Sequence, residues 1–354
     1  MEWTPPSLNR HQRAIVGLDL AKSVFQVYGV GHQDKRTLSR KLSRSQVLPY
    51  FARLPSCLIG MEACGSSYYW ARELMSLGHE VKLMNPKFVQ PYVKGNKNDY
   101  NDAEAICEAV QRPNMRFVDL KTPEQQAVLH LHQSRQLLIR ERVSLGNHIR
   151  ALLSEFGIVF AKSVRVFEES VPAVLADETN DLPAISRRSA GVMWAAYQKS
   201  QSSIADLERE LALWHKDNEA SRRLAEVPGI GIQTASALVA KLGNGRSFRN
   251  GREVAAFVGL VPKQASSGGK EKLLGIIKRG DGYLRRLLVQ GAKSVIRQVK
   301  RRHSAGLAGG HPWVESLLEH KHPNKVAIAL ANKMARIAWV ILAREERNRC
   351  ATTQ

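Results

Sequence analysis

The sequence contains few cysteines, and their spacing follows no metal-binding or disulfide pattern. The four cysteines are Cys57, Cys64, Cys107 and Cys350. None belongs to a CxxC pair, and none stands beside a histidine pattern typical of zinc sites. A zinc site and a disulfide framework are therefore not indicated. The reducing cytoplasm is the compartment that fits such a protein.

Long apolar runs are also missing. No stretch of about 20 residues is free of charge, as a membrane-spanning helix would require. The most apolar C-terminal segment, residues 326–343, is interrupted by Lys333 and Arg336. Residues 1–13 contain no hydrophobic region of a secretory signal. We therefore expect no membrane partner.

Acidic residues are scarce relative to basic ones. The 354 residues include 53 Lys or Arg and 32 Asp or Glu, for a formal net charge of +21. Residues 241–302, which the sequence predicts to be rich in loops, alone hold sixteen basic and three acidic residues. Such an excess attracts polyanions. Because the membrane interpretation is weak, nucleic acid is the favoured partner.

The first third of the chain predicts a mixed sheet with helices packed on it. A hairpin of strands comes first, and further strands then alternate with helices. The predicted strands are 14–20, 23–30, 37–42, 57–61 and 81–84, and the predicted helices are 46–54, 66–77 and 102–110.

After Thr122-Pro123 the pattern becomes helical. Val128 and Ile149 complement a column of leucines that recur every seven residues, namely Leu131, Leu138, Leu145 and Leu152. This spacing predicts a coiled-coil seam, although Arg135 and Arg142 interrupt it. A second helix is predicted near residues 194–214. The two helices form either a long antiparallel hairpin linking two domains or two core helices of one bundle.

Four acidic residues of the first third of the chain are candidates for a metal site. Asp19 interrupts an apolar strand, and Glu62 directly follows another. Asp99 and Asp102 lie three residues apart, which places both on one face of a helix. Two Mg²⁺ ions would neutralise four converging carboxylates and bind the oxygens of a phosphodiester. The alternatives are an N-cap for Asp99, a helix-dipole role for Asp102 and a solvated strand end for Glu62.

The motifs around these acids resemble those of the DEDD-type insertion-sequence transposases. The segments are GLDLAKSVF at 17–25, MEACG at 61–65 and KNDYNDA at 97–103. This family includes the Piv-like DNA invertases and recombinases guided by a bridge RNA. The resemblance implies a RuvC/ribonuclease-H-like α/β fold. It also implies that Asp19, Glu62, Asp99 and Asp102 are the catalytic ligands of two Mg²⁺ ions.

The C-terminal region carries a glycine-containing turn and a serine loop. Pro228-Gly229-Ile230-Gly231 resembles a helix-hairpin-helix, in which Gly229 and Gly231 would approach a phosphate; a plain turn is the alternative. The block from Gly259 to Arg285 is similar to the C-terminal domain of the same transposases. That similarity implies Ser267 as nucleophile, with Ser266 as the neighbouring alternative. Taken alone, an SSGG loop is most often a flexible turn.

Basic residues flank this loop. We predict phosphate contacts from Lys263, Lys278, Arg279, Arg285 and Arg286, the alternative for each being a solvated surface. Tyr283 suggests a tyrosine recombinase, but no suitable arrangement of Arg and His is evident in the sequence around it. The favoured interpretation is a packed aromatic residue on a helix that continues to Leu288.

Together these features predict three regions. They are a RuvC-like DEDD domain at 1–115, a helical coiled-coil linker at 116–222 and a mainly α C-terminal transposase domain at 223–354 that contains the helix-hairpin-helix and the catalytic serine. The expected function is Mg²⁺-dependent DNA cleavage and strand exchange through a phosphoserine, in the cytoplasm at the prokaryotic nucleoid.

The family resemblance also implies partners. They are double-stranded donor and target DNA, a bridge RNA and further copies of the chain, assembled as dimers that pair into tetramers. Two rival functions remain. One is a two-metal RuvC-like nuclease without a covalent intermediate, and the other is a non-enzymatic nucleic-acid-binding protein.

Overall fold

The computed structural model describes residues 14–31, 36–95, 98–265 and 272–344. The chain divides into two compact units, Met1–Lys121 and Thr122–Gln354. The predicted boundary after residue 115 lies close to this division. The predicted boundary after residue 222 falls inside the second unit, and that subdivision stays a prediction.

The first unit is built on a mixed six-stranded sheet. Its strands are β1 (Ile15–Leu20), β2 (Val24–Val30), β3 (Arg36–Ser43), β4 (Leu58–Glu62), β5 (Glu80–Met84) and β6 (Phe117–Val118). Their order across the sheet is β3-β2-β1-β4-β5-β6. Neighbours β1, β4 and β5 run parallel, whereas β2, β3 and β6 join antiparallel. This mixed sheet fits the ribonuclease-H-like fold expected from the sequence.

Helices cover both faces of this sheet. They are α1 (Val47–Phe51), α2 (Ser67–Ser76), α3 (Pro86–Val89) and α4 (Asp99–Ala109). Successive strand residues point to opposite faces. One face therefore buries Leu18 and Met61 in a core with Trp70 and Leu74 of α2. The opposite face packs against α4, through Ala105 and Ile106 among others.

The second unit is helical apart from one hairpin. Its helices are α5 (Pro123–Ser154), α6 (Val164–Ala176), α7 (Ala184–Asp217), α8 (Glu219–Ala225), α9 (Ile232–Leu242), α10 (Gly251–Val258), α11 (Gly282–Ser304), α12 (Pro312–His320) and α13 (Pro323–Arg344). Strands β7 (Pro262–Gln264) and β8 (Leu273–Ile276) pair antiparallel. The main core lies between α8, α9, α10, α11 and α13.

Helices α5 and α7 run antiparallel along each other. The Trp214 indole donates to Glu124 at 2.7 Å at one end, and Gly146 faces Tyr197 further along. The most buried positions of α5 are Val128, Leu129, His132, Gly146, Ile149 and Leu153. The heptad leucines are only half-buried. The buried stripe is therefore shifted from the predicted seam, and supercoiling of the pair stays a prediction.

Two expectations about the second unit are wrong. Residues 241–302 are not loop-rich, because they contain α10, the β7–β8 hairpin and most of α11. The helix that begins beside Tyr283 continues to Ser304 rather than to Leu288. Within the described ranges, α13 is long and apolar enough to cross a membrane. Half of its most apolar 18-residue stretch is buried inside the protein.

Candidate functional site

Asp19 and Glu62 stand side by side at the ends of two parallel strands. β1 and β4 pair with Leu18 opposite Met61, so the next residue of each strand is Asp19 and Glu62. Neighbouring strands lie about 4.8 Å apart. Leu18 and Met61 are fully buried, and alternation directs both carboxylates to the opposite face. The side chains of Asp19 and Glu62 therefore extend from the same face of the sheet at adjacent positions.

Helix α4 packs on that same face because two glycines leave room for it. A Cβ on Gly17 of β1 would lie 2.1 Å from the Ala103 carbonyl oxygen and 2.6 Å from the Cys107 nitrogen. A Cβ on Gly60 of β4 would lie 2.9 Å from Val110 Cβ. Any side chain at Gly17 would displace the helix backbone.

The direction of α4 brings its first turn to the end of β1 that carries Asp19. Cys107 donates to Ile15 O at 3.5 Å near the start of β1, and Ala103 lies over Gly17. Two strand residues and four helix residues both advance about 6 Å. Asp99, one turn before Ala103, is therefore level with Asp19.

Asp102 lies on the neighbouring stripe of the same helix. Its stripe continues to Ile106, which packs against Gly60 of β4. Asp102 is therefore directed towards the end of β4 where Glu62 stands. The ends of β1 and β4 and the first turn of α4 therefore lie at one edge of the sheet.

The start of α4 is set by Asn98 rather than by Asp99. The Asn98 side chain accepts from Asn101 N at 2.8 Å and caps the helix. The alternative role of Asp99 as N-cap is therefore wrong. Both aspartates lie in the first helical turn, where the helix dipole favours negative charge.

The carboxylates at this edge are a suitable donor set for a hard divalent cation. Mg²⁺ prefers carboxylate and other oxygen ligands. In the part of the chain that the structure describes, however, no three Asp, Glu, His or Cys side chains are grouped closely enough to hold a metal ion. The role of the four acids as metal ligands therefore stays a prediction.

The Pro228–Gly231 turn joins α8 to α9, and its two glycines have different surroundings. Gly229 has φ +89° and lies against α11, where a Cβ on Gly291 would be 1.9 Å from Gly229 O. A Cβ on Gly231 would meet nothing within 4 Å. Gly229 therefore allows the turn to pack closely against α11. Of the two glycines, Gly231 is the one with open space beside it for a ligand.

The five predicted phosphate-binding residues also differ in their surroundings, since four are exposed and one is half-buried. Lys263, Lys278, Arg279 and Arg286 are exposed. Arg285 is half-buried and donates to Val258 O at 2.8 Å. It satisfies a carbonyl at the end of α10, so the structure assigns it a structural contact. Ser267 and its alternative Ser266 lie outside the described residues.

Comparison with known proteins matches both units. A sequence model described as Transposase IS116/IS110/IS902 family matches residues 221–306, and a DEDD transposase model of the IS110 type matches residues 16–158. A probable family 20 transposase of Pseudomonas aeruginosa is 46% identical over 331 residues, covering 93% of this chain and 97% of the relative.

This chain belongs to the IS110/IS116 family of DEDD transposases. The transposase for insertion sequence element IS1328 of Yersinia enterocolitica is 43% identical over 92% of this chain and 96% of its own length. A more distant relative, the pilin gene-inverting protein of Moraxella bovis, is 22% identical over 72% of this chain and 74% of its own length.

The sequence did not indicate a buried polar cluster around Tyr283 of this transposase. Tyr283 donates its hydroxyl proton to His132 Nδ1 at 2.8 Å, and His132 Nε2 donates to Ser236 Oγ at 3.1 Å. Ser236 in turn donates to Ile232 O at 2.7 Å. The hydrogen-bond pattern assigns the proton of neutral His132 to Nε2.

Burial keeps His132 uncharged in the transposase. Its side chain is 1% exposed, and burial, with Arg135 and Lys241 nearby, lowers its pKa to about 4. Burial also raises the pKa of Tyr283. Arg286 lies over the Tyr283 ring, 5.6 Å from its centre, so Tyr283 contacts a histidine and an arginine that are distant from each other in the sequence. The one feature of the sequence that could have indicated burial of His132 is its position four residues after Val128, on the same helix face.

Proposed function

We propose that this transposase cuts and rejoins DNA through a serine-linked intermediate, assisted by the four carboxylates. The observation that carries the proposal is the common sheet edge of Asp19, Glu62 and the first turn of α4. The DEDD match spans residues 16–158 and therefore includes all four acids. The second match spans residues 221–306 and includes Ser267.

The proposed role of Asp19, Glu62, Asp99 and Asp102 is to hold divalent cations, with two Mg²⁺ ions as the preferred occupants. When bound, such ions neutralise charge on the reacting phosphate and orient it. The four side chains come from two adjacent strands and one rigid helix, and this arrangement limits how far each carboxylate moves.

The proposed role of Ser267 is nucleophilic attack. Its hydroxyl oxygen bonds to the scissile phosphorus, the bond to one deoxyribose oxygen breaks, and the serine proton passes to the released strand as a hydroxyl hydrogen. One phosphodiester is thereby exchanged for another. Reversal onto the hydroxyl of a different strand joins the DNA without an external energy source.

The proposed partners are donor and target DNA, a bridge RNA that pairs with both, and further copies of the chain. The net charge of +21 supports binding of polyanions. Assembly as dimers that pair into tetramers is implied by the family resemblance, and the exposed Leu137, Val143 and Val192 of α5 and α7 are candidate contacts.

Cleavage of labelled DNA with Mg²⁺ and co-purified RNA tests this mechanism. Ser267→Ala is expected to lower strand cleavage by at least about a thousandfold and to remove the covalent adduct. Ser266→Ala, its neighbour, is the matched control and is expected to keep both. Mapping of the modified residue in the trapped adduct identifies the serine.

Two outcomes would overturn the proposal in different ways. Continued cleavage by Ser267→Ala would favour a two-metal nuclease without a covalent intermediate. Unchanged recombination by Asp19→Asn and Asp102→Asn would indicate a protein that binds nucleic acid and leaves the chemistry to another factor.

A further inference from the structure

The second unit contains a large open groove along α13, which we call the α13 groove. Its volume is about 1040 Å³. Its walls are one stripe of α13, the start of α10, strands β7 and β8, and Trp313 of α12. The groove runs along α13 and is open to solvent, so it has room for a segment of a polymer.

Helix α13 presents two different faces. One is buried in the core through Val326, Ala327, Ala331, Met334, Ala335 and Ala338. The groove stripe recurs at intervals of three and four residues and consists of Lys325, Ile328, Ala329, Asn332, Lys333, Arg336, Ile337 and Val340. The apolar character of α13 is therefore divided between the protein core and the floor of this groove.

The charge of the groove has one sign. Four exposed cations line it: Arg252, Lys325, Lys333 and Arg336. Of the described residues that line the groove, none is acidic. The stripe from Lys325 to Arg336 extends about 16 Å along the helix axis. A row of uncompensated cations on a concave surface attracts a chain of negative charges.

An aromatic ring stands within this row. Trp313 is 41% exposed, and Lys333 Nζ lies 4.5 Å from its ring centre. The second tryptophan, Trp339, is half-buried, and its indole nitrogen donates to Gly245 O at 3.0 Å. Trp313 is therefore the more accessible of the two rings.

We propose that the α13 groove binds an unpaired DNA strand, with one base stacked on Trp313 and neighbouring phosphates contacted by Lys333 and Arg336. Cations together with an exposed aromatic ring are the means by which proteins bind single strands. A paired base within a duplex is already stacked and cannot offer its face to Trp313. The assignment to DNA rests on the proposed cutting of DNA, which releases single strands.

Fluorescence anisotropy of the full-length chain tests the stacking contact. The probe is a labelled single-stranded DNA of about 15 nucleotides, compared with its duplex, without divalent cations so that no cleavage occurs. Trp313→Ala is expected to weaken single-strand binding about tenfold. Duplex binding is expected to change less than about twofold. Trp313→Phe, which retains a ring, is expected to keep most of the affinity, and melting temperatures check that both variants fold.

Salt dependence tests the phosphate contacts independently. Lys333→Gln and Arg336→Gln are each expected to reduce the slope of log affinity against log salt concentration by about 0.7. Lys199→Gln, an exposed lysine of α7, is the matched control and should leave the slope unchanged.

Several results would overturn this inference. One is equal single-strand affinity of Trp313→Ala and Trp313→Phe. Another is an equal loss of affinity for single-stranded and duplex DNA in Trp313→Ala. A third is a salt-dependence slope of Lys199→Gln that matches that of Lys333→Gln. Tighter binding of RNA of the same sequence would overturn the assignment to DNA. A Trp313→Ala effect on oligomeric state alone would assign the groove to a second copy. Because binding is measured without cleavage, these binding results test the groove even if the proposed serine mechanism is wrong.

Discussion

His132 illustrates how one buried polar residue determines its surroundings. A buried imidazole requires a partner for each nitrogen, and Tyr283 and Ser236 supply them. This chain of hydrogen bonds joins α5 to the starts of α9 and α11. Because Tyr283 is held by His132, it is a positioned structural residue, consistent with the packed aromatic favoured by the sequence.

The low pKa of His132 makes stability depend on pH. Its pKa falls from 6.5 to about 4 on folding, so the unfolded chain takes up its proton first as the pH decreases. Stability from this group is complete above pH 6.5 and is lost progressively between pH 6.5 and 4. In urea unfolding, wild type should lose up to about 1.4 kcal/mol per pH unit relative to His132→Gln.

A second histidine variant serves as the control. His320→Gln changes an exposed histidine and should follow the wild-type pH profile. Parallel profiles for wild type and His132→Gln would contradict the assignment of a neutral, buried imidazole.

Among individual residues, the sequence was most informative where an acid interrupts an apolar strand. Asp19 was a candidate because it interrupts an apolar strand, and Glu62 because it directly follows one; their role as metal ligands stays a prediction. The contact of Arg285 with the end of α10 was not predictable, since it depends on a tertiary approach between distant segments. Ser267 stays a prediction.

At the scale of elements, the packing of α4 on β1 and β4 determines where its first turn lies relative to Asp19 and Glu62. Gly17 and Gly60 permit the helix backbone to approach the strands directly. A small shift of α4 would move Asp99 and Asp102 together relative to Asp19 and Glu62. Helix packing and the candidate metal site are therefore coupled.

Gly17→Ala tests this coupling. The added Cβ would lie 2.1 Å from the Ala103 carbonyl oxygen, so α4 must shift. We expect a loss of at least about 1–3 kcal/mol in the free energy of unfolding, together with a loss of DNA cleavage. Gly65→Ala is the control, because its Cβ would meet nothing within 4 Å. Equal stability of the two variants would show that α4 does not pack on Gly17 in solution.

Strands β1 to β5 were predictable within one or two residues, most readily where an apolar run is bounded by turn residues, whereas β6 was missed. Helix α6 was missed between the two long helices. Helix α11 was underestimated because basic residues and Gly291 obscure its buried stripe of Leu284, Leu288, Ala292 and Val295. That stripe was present in the sequence at helical spacing.

At the scale of the whole molecule, the candidate acidic residues and the most basic segment lie in different parts of the chain. All four acids of the DEDD set lie in the first unit, and the strongly basic segment 241–302 lies in the second. Composition alone predicted a nucleic-acid partner. The α13 groove was not predictable, because its lining comes from α10, the β7–β8 hairpin, α12 and α13.

The central claim is that Asp19, Glu62, Asp99 and Asp102 together hold divalent cations. Electron paramagnetic resonance of Mn²⁺ added to the full-length transposase measures this directly, since bound Mn²⁺ loses the sharp signal of the free ion. We predict tight binding by wild type and by the control Glu73→Gln. Asp19→Asn and Asp102→Asn are predicted to bind at least about tenfold more weakly. Wild-type affinity in both Asn variants would contradict the account.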